Sequence, residues 1–194
     1  MEDMLGLMIG IGLSATCGFR VFVPLLGISL AAQSGELTLA EGFEWLASPE
    51  ATAAFGFATL LEVGGYYVPW IDNMLDTAAT PAAVVAGTIV TASMVGDMSP
   101  LLQWSLAIIA GGGSAGIIQG GSVLIRTASA ATTGGLGNPV VSTGELIISV
   151  IGTVLAIMVP VLMVAIVVVL LQWMIRRLVR FFNKKEEIKQ LPQA

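Results

Sequence analysis

Apolar residues in this chain come in runs of about 15 to 30 rather than in one-sided stripes, and no other feature constrains the fold as much. About 20 apolar residues cross a bilayer as a helix, whereas a helix on a soluble core keeps a polar face. Five runs can be read: Met4 to about Ala32, Ala51 to about Trp70, Pro81 to Gly96, Leu101 to about Ala131 and Leu146 to about Trp173. Of 194 residues 56% are hydrophobic and 11% charged, against about 25% charged in soluble domains. The expected fold is all-α, a polytopic helical transmembrane bundle of about five segments with glycine-broken helices and a candidate inverted repeat. Its transmembrane domain covers 1–175, with half-repeats 1–80 and 97–175 around a short third segment, and a basic cytoplasmic tail covers 176–194.

The same composition narrows the chemistry. There is no His and one Cys, so the usual general base, the commonest zinc ligand, an internal disulfide and a CxxC site are all missing. An enzyme acting on lipid phosphates would have to draw on Asp72, Asp76 and Ser114 without His, which ranks that reading last. The expectation is a protein that is not an enzyme, carries no cofactor or metal and binds no nucleic acid.

Each run has its own punctuation. The first exceeds one crossing and is interrupted by Gly10, Gly12, Gly18 and Pro24, so a tilted or broken helix is expected. The second ends in Tyr66, Tyr67 and Trp70, aromatic residues suited to an interface. The third, 81–96, is short enough to be re-entrant instead of spanning. The fourth has Trp104 as an anchor and is cut by Gly111, Gly112 and Gly113. The fifth, rich in Val, Ile and Leu, is expected to be one lipid-facing span kinked at Pro160. Leu39, Phe43 and Leu46 fall at helical spacing, which suggests either a short interfacial helix anchored by Trp45 or an acidic loop.

Charge orients the chain. Met1-Glu2-Asp3 is acidic where a signal peptide is positive, so the first segment is expected to stay. Six of the eight basic residues, Arg176, Arg177, Arg180, Lys184, Lys185 and Lys189, cluster after the last run, which puts that tail in the cytoplasm of a multi-pass membrane protein. The tail is either a topology signal alone or also a contact for anionic membrane lipids. Five crossings would put the N-terminus outside; a re-entrant third segment would put it inside.

A few ionisable residues lie inside apolar runs, where each is costly without a partner or a wet cavity. Arg20 and Glu62 sit roughly 18 and 16 Å from the same membrane side, so neighbouring helices would bring them together as a structural ion pair or as a substrate or proton site. Arg126 and Glu145 flank the polar connection 127–144 and either pair or snorkel to an interface. Asp72 and Asp76 are four apart, which puts both on one helical face, although Asn73, Thr77 and Pro81 make a solvated turn the commoner reading. Asp97 reads as a turn or cap, Cys17 as a packing residue, and Thr132 to Pro139 as a turn or re-entrant tip rather than a phosphate loop.

Glycines carry a further signal. Gly112, Gly113, Ser114 and Gly120 in the fourth run echo Gly12, Ser14 and Gly18 in the first, and an arginine follows each cluster. With a spanning third segment the two runs point in opposite directions, as in transporters whose broken helices meet at the midplane around an anionic group. Close helix packing would use the same small residues.

Blocks in order then carry a resemblance: Gly12-x-x-Ala15-x-x-Gly18-Phe19-Arg20-x-Phe22-x-Pro24-Leu25, Trp45-Leu46-Ala47-Ser48-Pro49, Leu61-Glu62 with Pro69 and Asp72, and Pro81-Ala82. They resemble the bacterial membrane-protein family catalogued as domain of unknown function 4126, over roughly the first hundred residues. The resemblance implies a small inner-membrane protein with Arg20, Pro24, Glu62 and Asp72 at family-typical positions, and no established activity. The chain departs at Gly65-Tyr66-Tyr67-Val68-Pro69, where such proteins often show Asp-Lys before the Pro. Two functions compete. One is a transporter or channel for a small anionic solute or ion, its path lined by Arg20, Glu62, Arg126, Asp72 and Asp76, with helix breaks at Gly12, Ser14, Gly18, Pro24, Gly112, Gly113, Ser114 and Gly120. The other is a structural or lipid-interacting protein without transport. A homo-oligomer is expected, since five spans leave little material around a pore.

Overall fold

The computed structural model describes residues 2–96 and 98–189, with the side chains of residues 2, 3, 69, 70, 72, 73, 178 and 181–189 outside that description. The reading of Asp97 and the side chain of Asp72 therefore fall outside it. Eight α-helices are described: α1 Glu2–Cys17, α2 Phe22–Gln33, α3 Pro49–Gly65, α4 Pro69–Ser93, α5 Pro100–Leu106, α6 Gly113–Thr133, α7 Asn138–Met158 and α8 Pro160–Lys189. No strand occurs among the described residues. Among the described residues four stretches are long and apolar enough to cross a membrane: 74–93, 100–133, 138–158 and 160–177. The chain is a membrane protein with a helical-bundle fold.

The first apolar run is a hairpin rather than a tilted crossing. At 16 and 12 residues α1 and α2 are each too short to span about 30 Å of hydrocarbon. Helix α1 stops at Cys17, and the amides of Phe19 and Arg20 turn back to the Thr16 carbonyl at 3.0 and 3.1 Å. Pro24 fits because it falls in the first turn of α2, where an N–H would have no helical acceptor. Helix α2 then returns: Gly27 lies against Thr153, and the Ala40 amide donates to the Ser93 carbonyl at 2.8 Å, beside the Met94 that touches Gly6 near the start of α1. Both limbs thus open at one end of the bundle, and Gly18 to Val21 form the tip. Cys17 is buried behind it, as a packing residue should be.

Helix α4 is the central post and corrects the boundary placed at Pro81. It begins at Pro69 and runs through Pro81 to Ser93, so the third segment has spanning length. A proline inside a helix removes one ladder bond and does not always end it. Both α1 and α6 lie antiparallel to α4. Gly10 packs on Thr91 and the Ser14 hydroxyl donates to the Gly87 carbonyl at 2.6 Å, while Gly112 packs on Thr88 and Gly116 on Val84. Hence α1 and α6 run the same way, not in the opposite directions expected of the two glycine-rich runs.

The glycine triplet does not cut the fourth run either. Residues 100–133 form one continuous rod in which Ala107–Gly112 widen to a π-helical turn. The reason is close approach: a Cβ on Gly112 would stand 2.6 Å from Thr88 Oγ1, and Gly111 has no room beside Thr91. Small residues here bring two backbones together, and the wider turn takes up the extra residue. Gly134 and Gly135, at φ +64° and +90°, end α6 in a turn that leads to α7.

The fifth run is two helices, not one kinked span. At Val159 the backbone leaves the helix (φ −138°, ψ 65°), and Pro160 starts α8. Helix α7 descends past Thr16 and Gly12, where a Cβ would stand 2.9 Å from both Ala156 Cβ and Met163 Cγ; α8 then heads back until Met174 meets Gly121. Helix α8 continues to Lys189, so the basic residues among 176–189 are helical. The acidic stretch between α2 and α3 is a loop with one short 3-10 turn, Glu44–Ala47, in which Leu46 is buried and Trp45 packs on Phe55.

Candidate functional site

Charges converge where the hairpin tip meets α3, α4, α6 and α7. Arg20, at the tip, and Arg126, on α6, are each 1% exposed. Between them lies the ring of Tyr66, with the guanidinium carbons 4.0 and 3.8 Å from its centroid. A ring face attracts cations more strongly where water is excluded, and one tyrosine here holds two. Tyr66 is therefore buried, not an interfacial anchor; its neighbour Tyr67 is the exposed one and meets the Thr143 hydroxyl at 2.8 Å.

Three carboxylates complete the cluster. Glu145 grips Arg126 with both oxygens, one on Nη2 and one 3.3 Å from Nε, and also accepts from the Ser122 hydroxyl. Asp76 Oδ1 lies 3.3 Å from Arg126 Nη1. Glu62 does not form the expected ion pair with Arg20. Its two oxygens accept the Val21 and Phe22 amides at 2.8 and 3.1 Å, capping the N-terminus of α2. The cause is the hairpin: reversing the chain at Arg20 frees the first amides of α2 inside the bundle, and a carboxylate satisfies two of them while matching the helix dipole.

Arg20 is left differently placed. Its Nη2 donates to the Ser142 carbonyl at 2.7 Å and to the Ser142 hydroxyl, and stands 3.7 Å from Glu145. Its Nε and Nη1 are buried without a hydrogen-bond partner. Gln119 Nε2 is another buried donor without one; Gln119 shares the α6 face of Ala115, which contacts Gly18, and of Ser122 and Arg126.

Of the residues singled out in the sequence, Arg20, Glu62, Arg126 and Asp76 come together here. Asp76 does so from inside α4, which corrects its reading as a solvated turn. Glu145 is buried and central, not at an edge. Gly12, Ser14, Gly112 and Ser114 serve packing or local hydrogen bonds elsewhere, and a Cβ on Gly113 or Gly120 would meet nothing within 4 Å. Tyr66, Ser122, Ser142 and Gln119 were missed. A buried arginine announces that it needs partners, but nothing in the local sequence says which residues supply them. Among the described residues no group of three His, Cys, Asp or Glu is placed to hold a metal ion.

Neither a curated protein nor a solved structure matches the chain. The family described as Domain of unknown function (DUF4126) matches residues 7–180, a stretch that contains every residue of this cluster, and the chain belongs to that family.

Proposed function

We propose that the protein moves a small anion or anionic solute across the membrane, along a path that passes the hairpin tip, with Arg20 as the group that binds it. One observation carries this reading: Arg20 is 1% exposed, yet Nε and Nη1 have no acceptor. Buried donors are nearly always satisfied, and an intramembrane cation without its full set is hard to explain by packing. The neighbouring charges have their own partners. Glu62 is held by two backbone amides, and Glu145 and Asp76 by Arg126. Arg20 is thus the cation with unused donors, and a ligand carboxylate or other oxyanion would accept from its open edge. The reading assigns no bond-making step to the site. It places the protein in a bacterial inner membrane, with the basic end of α8 in the cytoplasm and α4, α6, α7 and α8 among the crossings.

The test is uptake of labelled chloride, nitrate, acetate and phosphate into liposomes holding the purified protein. At least one should enter faster than into empty vesicles, and Arg20→Gln should abolish that flux while keeping a folded protein on gel filtration. Equal flux in the variant, or none above background for all four anions, overturns the proposal in favour of a structural ion network.

A further inference from the structure

The end of α8 carries a second arrangement, independent of transport. From Pro160 to Lys189 this helix is 30 residues, about 45 Å, which exceeds the hydrocarbon thickness by several turns. Its span 160–177 is the least covered of the four by other helices. Along one exposed stripe lie Val169, Trp173, Arg176, Arg177 and Arg180, which together line a shallow groove. Their spacing of three and four residues keeps them on one face, and a different face packs, through Met174 on Gly121. The Arg177 guanidinium lies 5.0 Å from the Trp173 ring centroid. None of the three arginines has a carboxylate within ion-pair distance among the described residues.

We infer that this stripe is a binding site for an anionic phospholipid in the leaflet at the α8 end of the bundle. From Val169 to Arg180 is about 16 Å, close to the depth of one leaflet. Its order matches that of a lipid: an apolar residue for the acyl chain, an indole at the level of the glycerol backbone, then guanidinium groups for the phosphate. Charge complementarity selects the occupant. The chain as a whole carries −5, and Glu36, Glu41, Glu44 and Glu50 sit at the opposite end, so a negative headgroup is attracted here and repelled there. Arginine, with its planar fork, suits a phosphate better than a point charge would.

Trp173 reports on the site directly. In a protein with Trp45, Trp70 and Trp104 replaced by Phe, quenching of Trp173 by brominated phosphatidylglycerol is compared with quenching by brominated phosphatidylcholine. The expected preference for the anionic lipid is at least about fivefold, and part of it should persist at 0.5 M salt, where exposed charges are screened beyond about 4 Å. Replacing Arg176, Arg177 and Arg180 by Gln should bring the ratio to one. Because these side chains are exposed, the fold should survive, and a single symmetrical gel-filtration peak checks that. A protein retaining only Trp104, at the acidic end, should show a ratio of one or less. A ratio of one at Trp173, an unchanged ratio in the triple variant, or a preference that vanishes completely in salt overturns the proposal. The last outcome would leave only diffuse attraction to a negative surface.

Discussion

Arg20 and Arg126 make a natural comparison, because they are equally buried, rest on the same tyrosine ring and come from the two glycine-rich helical runs. Arg126 stands within a continuous helix and is held by two carboxylates. Arg20 stands where the chain reverses and has a carbonyl, a hydroxyl and one distant carboxylate. The regular helix spends its backbone groups on itself and leaves the side chains of its neighbours free to neutralise Arg126. At the reversal, backbone amides compete for the nearest carboxylate, Glu62, and win it. One interruption of secondary structure is enough to turn a saturated cation into an open one.

The strongest test of this contrast removes Arg126. Arg126→Met leaves Glu145 and Asp76 without their shared partner and should destabilise the protein by about 3–5 kcal/mol, read as unfolding in detergent micelles. A loss below that for Arg20→Met would contradict the assignment of Arg126 as the structural member. Tyr66→Leu takes the ring from both cations and should lose roughly 2–4 kcal/mol, whereas Tyr66→Phe keeps the ring face and should retain most of the stability. Arg20→Gln is expected to unfold only about 1–3 kcal/mol more easily than the parent while losing anion flux, which separates the roles in one pair of measurements. Smallest is Glu62→Gln, which keeps one acceptor for the α2 amides and forfeits the charge. A loss of about 1–2 kcal/mol is expected, together with faster amide exchange at Val21 and Phe22.

How much of this was legible in the sequence follows from the range over which each signal acts. Apolar runs announced a helical membrane bundle, and the position of Arg20, Glu62 and Arg126 inside those runs marked them as needing partners. Who partners whom was not legible, because Arg20 meets Ser142 across 122 positions, and that encounter depends on every helix direction between them. The directions turn on short junctions. Gly18 to Val21 reverse the chain, Pro81 leaves its helix intact, and Val159 reverses the last run within one residue. Glycine and proline mark where backbone geometry is free to change, but the outcome is decided by what packs there. Gly112 gives close approach to Thr88, whereas Gly18 gives a turn against Ala115. Tyr66 and Tyr67 are neighbours of the same type, and only the fold makes one a ring between two cations and the other a surface residue.

The hairpin also sets an order of assembly. At a synthesis rate of about 5–20 residues per second, the segment that carries Ser142 and Glu145 emerges roughly 6–25 s after Arg20. Glu62 arrives much sooner, 41 positions after Val21. The start of α2 can thus be clasped by α3 early in biogenesis, while the tip arginine waits at the membrane for a helix not yet made. Its burial waits for α7, and a chain arrested before α7 would display a charged, protease-accessible tip that the finished protein conceals.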